Sequence, residues 1–236
     1  MLPVAIFRFS KGDEPGRLAH WLDVNGRPWR LYALHEGEPL PSEPRAFAGI
    51  GMMGGPMSVN DDLPWNAPVL DLVRGAVRHG IPVIGHCLGG QLLAKALGGS
   101  VGPASTPEIG WIDVEATDVQ AADEWFGGRA RFTVFEWHYE AFTLPPGARH
   151  VLANDFNAHQ AFVVDDRHIG FQGHVEMTAE IARSWIALSS DELPAASTPS
   201  LQSAADILAR LEPRVAALNG VADAVYARWA RHLAGS

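Results

Sequence analysis

One cysteine, Cys87, occurs in 236 residues, so no disulfide can form within the chain. That scarcity points to a reducing compartment, the cytoplasm, where structural disulfides are rare. Positive charge is also short, with 18 Lys and Arg against 27 Asp and Glu and a net charge of −9. Nucleic acid is thereby excluded as the main partner, because phosphate binding needs clustered Lys and Arg. Long apolar runs are missing as well. The stretch at 81–84 falls far short of the roughly 20 residues a bilayer crossing needs, so no membrane association is expected. The opening MLPVAIFRFSKG has no basic residues ahead of its short apolar run and no convincing cleavage site, so it reads as a buried first strand rather than a leader. No P-loop or other nucleotide-binding motif is visible. Asp61 and Asp62 have no further ligands at suitable spacing and read as a solvated loop, so neither cofactor nor metal is expected.

What is present is a globular composition, 47% hydrophobic and 19% charged, enough for one substantial domain. Short apolar runs alternate with helical stretches through residues 1–190. Strands are expected at 4–9, 29–34, 46–50, 81–85 and 169–172, and helices starting near 17 and spanning 69–79, 91–97 and 177–188. Strand, helix, strand at this spacing implies parallel strands with helical crossovers: an open, mostly parallel, flavodoxin-like α/β sheet with helices on both faces. Residues 111–164 differ, carrying Trp, Phe, Val and Thr alternation, and read as antiparallel strands at the end of the sheet. A composition break at 191–200, DELPAASTPS, reads as a linker. Beyond it, 201–236 reads as a helical extension, with helices at 201–211 and 215–233, packing on the domain or on another protein chain.

The segment IPVIGHCLGGQLLAKALGG carries the chemistry. A buried strand ends at Gly85, Cys87 follows two residues later, and a helix begins within a few residues. This strand–turn–helix layout is that of a nucleophile elbow. A side chain at the apex of so tight a turn has a strained backbone and needs small neighbours, and Gly85 and Gly89 flank Cys87 at two residues on each side. The N–H groups that open the following helix favour an anion at that place. A small buried cysteine beside packing glycines is the plain alternative.

GHCLGGQ resembles the G-x-C-x-G-x-Q nucleophile motif of the class I (triad) glutamine amidotransferases, and LLAKALGG continues the likeness. The stretches GGPMSVNDDLPW and EIGW resemble stand-alone members near the glutaminase domain of GMP synthase. The resemblance implies that the turn GGPMS supplies one oxyanion donor, Gly55, and that the amide after the cysteine, Leu88, supplies the other. Gly54 in the same turn, and Gln91 in the first turn of the helix, are implied on the substrate side. A Trp-His segment before a Phe-x-Leu-Pro turn in the family matches His138, which with Tyr139 is assigned to the substrate pocket. A histidine capping a strand is an equally good account of His138.

The base must be a histidine with an orienting carboxylate. Of ten histidines, two have His-x-Glu spacing, His138 with Glu140 and His174 with Glu176. The second pair stands where the strand at 169–172 meets a helix beginning near Thr178, which places it at the carboxyl edge of the sheet, where Cys87 must also be. It also resembles the family's terminal Gln-x-His-Pro-Glu motif, as Gln172-Gly173-His174-Val175-Glu176, with valine in place of proline. The resemblance therefore implies a Cys87–His174–Glu176 triad that hydrolyses the γ-amide of glutamine or a γ-glutamyl compound through a γ-glutamyl thioester. Three readings stay open. The first is a glutaminase that passes ammonia to a separate synthase partner. The second is a γ-glutamyl peptidase or hydrolase without a partner, and the third a non-catalytic binding protein of the same fold.

Overall fold

Val4–Arg8 forms strand β1, and its alternate residues face opposite ways: Val4 and Ile6 enter one apolar core, Ala5 and Phe7 the other. This period of two in a continuous apolar run marks a strand covered on both faces. In the computed structural model, which describes residues 1–234, α1 follows at Gly16–Val24, β2 at Trp29–Ala33, β3 at Gly49–Met52, α2 at Asn66–Arg78, β4 at Val83–His86 and α3 at Leu88–Ala96. The last two positions of the expected 201–236 extension lie outside the described residues. The chain continues through β5 at Val101–Ala116, α4 at Val119–Trp125, β6 at Arg131–Phe142, β7 at Arg149–Ala153, β8 at Ala161–Val164 and β9 at His168–Phe171. Helices α5 at Ala179–Leu188, α6 at Ala204–Leu208 and α7 at Leu211–Ala230 complete the described elements.

The nine strands form one sheet in the order β2-β1-β3-β4-β9-β8-β7-β5-β6. Its first half, from β2 to β9, is parallel throughout, and from β9 to β6 every pairing is antiparallel. The expected α/β sheet is thus present, with the antiparallel strands at its end. Helices α2 and α3 bury Val69, Val73, Leu92 and Leu93 against one face, while α1 and α5 bury Leu18, Leu22, Ile181 and Ala182 against the other. The carboxyl ends of β1, β3, β4 and β9 come together at one edge.

Several boundaries differ from the sequence-based expectation. Helix α3 starts at Leu88, directly after Cys87, rather than at 91, because Leu88, Gly89 and Gly90 are all taken into its first turn. Strand β3 begins at Gly49, since Val4 of β1 fixes the register there and Pro44–Ala46 turns as a short 3-10 helix. Helix α4 was not expected within the antiparallel region; Asp118 caps it by accepting from the Ala121 N–H at 2.6 Å. The stretch expected as a helix at 201–211 is helical over Ala204–Leu208, and its last residue, Leu211, already opens α7. Its first residues are extended against β5, where Ser200 accepts from the Ile109 N–H and Gln202 donates to the Ile109 carbonyl, both at 2.8 Å.

Helix α7 lies against α1, α4, α5 and β6 and buries Leu211, Leu218, Val221, Ala222, Val225, Tyr226 and Trp229 in the core beneath them. Asp223 on its surface accepts from Arg17 Nε and Nη2 of α1 at 2.8 and 2.7 Å, a two-point contact that fixes the helix crossing. Trp229 is fully buried, packed beside Gly49 of β3. Trp229→Ala is therefore expected to lower stability by about 3–5 kcal/mol in urea unfolding. A loss below about 1 kcal/mol would mean that α7 is not part of the cooperative core.

Candidate active site

Cys87 has φ 49° and ψ −109°, a left-handed backbone that non-glycine residues rarely adopt. It is the single residue between the end of β4 at His86 and the start of α3 at Leu88. The glycines beside it answer to contacts. A Cβ on Gly85 would fall on the Gly89 carbonyl, and one on Gly89 would fall on the Met52 carbonyl of β3. Gly89 N–H also donates to the Met53 carbonyl at 3.1 Å, stitching the helix start to the neighbouring strand. Placed at the head of α3, Sγ faces a helix N-terminus, whose partial positive charge favours an anion. Gln172 Nε2 lies 3.8 Å from Sγ, and Sγ lies 3.9 Å from the Trp137 carbonyl.

His174 and Glu176 leave the carboxyl end of β9, in the loop that leads to α5. That loop is pinned at three points: His174 N–H donates to the Phe135 carbonyl at 2.8 Å, Arg17 N–H to the Glu176 carbonyl at 2.8 Å, and Thr178 caps α5 by accepting from the Ile181 N–H at 3.2 Å. Within it, His174 Nδ1 is 2.7 Å from Glu176 Oε1, so in the neutral form Nδ1 carries the proton and Nε2 is left unprotonated, in a ring that shares its pocket with Cys87. Trp185 of α5 packs edge-on against the His174 ring at 4.7 Å between centroids, held by its own Nε1–H donated to the Gly12 carbonyl at 2.8 Å.

The charges in this buried group support one another. Burial alone would push His174 down, yet the Glu176 carboxylate and the Cys87 sulfur outweigh it and hold its pKa well above the ordinary histidine value. Burial would raise Glu176, but the positive charge and hydrogen bond of His174 hold its pKa below the ordinary carboxylate value. Asp13, in the loop after β1, is pushed up chiefly by burial, against the opposing effects of its Ser10 hydrogen bond and of His174. A thiol beside an imidazole that is oriented by a buried carboxylate can act as a nucleophile with its own acid and base.

Cys87 and His174 open on a pocket of about 800 Å³. Gly55, Gln91, His138 and Tyr139 line it too, whereas Gly54 sits behind, so close to the His174 ring that an added Cβ would be 2.9 Å from Cε1. Leu88 lies beside Gly55, where its Cδ2 would be 2.8 Å from a Cβ. Gln91 is turned inward, donating from Nε2 to the Glu140 carbonyl at 3.0 Å and lying 3.4 Å from Gln172 Oε1. His138 is fixed on both sides, with Nδ1 3.1 Å from the Glu140 carbonyl and Nε2 3.0 Å from Glu108 Oε2. The His138–Glu140 pair thus does not form a dyad: the His138 partner is Glu108, while Glu140 Oε2 accepts from Ser58 at 2.7 Å. Tyr139 donates its hydroxyl to Glu192 at 2.9 Å, and burial with that carboxylate pushes its pKa up to about 12.

Sequence reasoning had not found Asp13, Trp137, Trp185 or Glu192 as pocket residues. Glu108 of EIGW had no role from residues alone; it accepts from Gln160 at 2.8 Å and Asn154 at 2.6 Å besides meeting His138. Beside it, Glu136 is wholly buried, and burial followed by repulsion from Glu108 pushes its pKa well above the carboxylate range. Among the described residues no group of three His, Cys, Asp or Glu side chains is placed to hold a metal ion, and no helix is long and apolar enough to cross a membrane.

Taken together, the sheet and this pocket define an open α/β protein with a candidate cysteine–histidine–carboxylate centre at the carboxyl edge of its parallel strands. The family described as "Glutamine amidotransferase class-I" matches residues 31–187, and the chain belongs to it. A GMP synthase [glutamine-hydrolyzing] from Aeropyrum pernix is 37% identical over 158 residues, covering 64% of this chain and 29% of that protein. The chain thus matches a little under a third of the length of that relative. A shorter relative, one subunit of the glutamine-hydrolysing GMP synthase of Sulfolobus acidocaldarius, is 34% identical over 137 residues, 57% of this chain and 70% of that protein. A crystal structure of a glutamine amido transferase from Methylobacillus flagellatus superposes with a TM-score of 0.95 at 47% identity, covering 99% of this chain and 96% of that one.

The pairing of His174 with Glu176 sets a pH dependence of stability. Glu176 has a lowered native pKa, so its contribution is present above the usual carboxylate range and is lost as pH falls through the native value. His174 has a raised one, so its contribution is full below the usual histidine range and is lost as pH rises through the native value. Glu176→Gln is expected to flatten the alkaline decline in urea-unfolding free energy, because burial then acts on His174 with its main opposition removed. An alkaline slope unchanged from wild type would contradict the pairing.

Proposed function

We propose that this chain hydrolyses the γ-amide of glutamine or of a γ-glutamyl compound, with Cys87 as nucleophile, His174 as acid and base, and Glu176 orienting His174. The observation that carries the reading is the strained Cys87 at a helix start, opening on one pocket with His174, which Glu176 holds at 2.7 Å. His174 Nε2 takes the Cys87 proton, and the thiolate so formed attacks the amide carbon, its electron pair forming the C–S bond as the carbonyl π pair moves to oxygen. Backbone N–H groups of Gly55 and Leu88 receive that oxyanion, the kind of stabilisation on which acyl transfer depends most strongly. The carbonyl re-forms as the C–N bond breaks, and His174 Nε2–H protonates the departing nitrogen. Water deprotonated by His174 then attacks the γ-glutamyl thioester, releasing glutamate and restoring the thiol centre. Gln91, His138 and Tyr139, with Gly54 behind, shape the substrate side.

The relatives named as GMP synthases are glutamine-hydrolysing, and one of them is a synthase subunit in its own right. This supports a glutaminase whose ammonia passes to a separate synthase partner. The size of the pocket favours a second reading, a γ-glutamyl hydrolase that needs no partner. At about 800 Å³, with Trp137, Tyr139 and Trp185 in its wall, it lies within the ~300–1,000 Å³ that holds drug-sized ligands. That is more room than the amide of free glutamine occupies.

A panel of glutamine and γ-glutamyl amides and peptides, assayed for glutamate and for the released amine, separates the two. Wild type is expected to act on at least one member, with Cys87→Ala slower by about 1,000-fold or more. Release of ammonia from glutamine supports the glutaminase reading; release only of larger amines supports the hydrolase. Equal activity of Cys87→Ala and wild type, or the absence of any Cys87 labelling by diazo-oxo-norleucine, would remove the catalytic reading altogether.

A further inference from the structure

The proposed mechanism uses one oxygen of Glu176 and leaves the other unexplained. Among the described residues Oε2 is buried and meets no hydrogen-bond donor, a costly arrangement for a carboxylate oxygen. The group facing it is His86, fully buried at the end of β4, with Nε2 3.9 Å away. His86 Nδ1 lies 3.3 Å from the Met52 carbonyl, which can only accept, so Nδ1 bears the proton. Burial pushes the ring toward its neutral form, leaving a lone pair at Nε2. The Tyr226 hydroxyl of α7 stands 3.3 Å from that nitrogen and donates to it. The imidazole is clamped further by Phe171, stacked at 14°, and by the Tyr226 ring, edge-on at 6.1 Å.

We propose that His86 and Tyr226 are positioning residues that close the space behind Glu176 and keep its Oε1 on His174. The inference rests on the Cys87–His174–Glu176 reading of the site. A buried carboxylate with one unmet oxygen turns toward any donor or water that can reach it. An imidazole locked from two sides denies it that freedom, and the hydrogen bond to His174 stays short. The lock comes from α7, outside residues 31–187 that match the family, so the C-terminal helix is part of the catalytic apparatus rather than only a cover for the sheet.

The charged surroundings must be held constant in a test. His174 and Glu176 are faced by Cys87 from the start of α3, Asp13 from the loop after β1, Glu136 from β6 and His86 from β4. From α7 come Tyr226 and Asp223, the latter paired with Arg17 of α1. Tyr226→Phe removes the hydroxyl alone and retains the ring that packs on Trp21 and His86.

Cys87 is the sole cysteine, so its alkylation by iodoacetamide across pH, in the full-length protein, reads the sulfur and its imidazole partner without any substrate. The alkaline step of that profile marks loss of the His174 proton. Tyr226→Phe is expected to move this step down by about half a pH unit or more, since a charge-assisted bond to His174 is loosened. On a turned-over substrate, kcat is expected to fall about 3- to 10-fold with KM unchanged. His86→Gln, which can set an amide at the position of Nε2, should keep the step near wild type. A Tyr226→Phe protein with a lower melting temperature but an unmoved alkaline step and unchanged kcat overturns the inference, as does a His86→Gln profile displaced as far as that of Tyr226→Phe. If Glu176→Gln also leaves the step in place, the underlying triad reading fails; if Glu176→Gln moves it and Tyr226→Phe does not, only the positioning role fails.

Discussion

Cys87 faces the pocket because its backbone is held at φ 49°, and a non-glycine residue stays there only when its surroundings over-determine it. Those surroundings are the parallel half of the sheet. Strand β4 delivers the chain between β3 and β9, and α3 must leave at once without striking either neighbour. The approach is so close that the Met52 carbonyl occupies the place of a Gly89 side chain, while the Met53 carbonyl takes the Gly89 N–H. Position, orientation and electrostatic setting of the sulfur therefore all follow from one turn between two central strands.

Around that turn the protein closes a buried electrostatic group with few free parameters. The His174–Glu176 segment emerges from the strand next to β4, so the parallel pairing of β4 and β9 sets how far the imidazole is from the sulfur. The antiparallel half contributes differently. Strand β6 brings Trp137, His138 and Tyr139 to the pocket wall, and β5 supplies Glu108 to fix His138 from behind. Helix α5 adds Trp185 against His174, and α7 reaches the rear of Glu176 through Tyr226 and His86. The packing around the candidate site thus involves helices that share no sequence motif with it.

The parallel core, and the grouping of Cys87, His174 and Glu176 at one sheet edge, were legible because each rests on local pattern. Short apolar runs separated by helical periodicity declare parallel strands, and G-x-C-x-G-x-Q with His-x-Glu declares its own geometry. The choice of His174 over His138 followed from sheet position, and the structure places Glu108, not Glu140, on His138. What could not be read depends on contacts between distant segments. Asp13 and Trp185 reach the pocket across 172 positions of sequence, and His86 meets Tyr226 across 140. Nothing in the spacing of the residues around Tyr226 distinguishes it from another core aromatic on an amphipathic helix. The early start of α3 was missed because Gly89 and Gly90 weigh against a helix by propensity, whereas close packing on β3 requires them there.

Membership of the class-I glutamine amidotransferases makes a γ-glutamyl thioester on Cys87 the central claim, and it can be seen directly. Acid quenching during turnover of a γ-glutamyl substrate, followed by mass spectrometry of the intact and digested protein, is the decisive measurement. The account predicts a γ-glutamyl adduct confined to the peptide that carries Cys87 and discharged by hydroxylamine, with none on Cys87→Ala. Steady turnover with the adduct on another residue, or turnover that persists in Cys87→Ala, would contradict it.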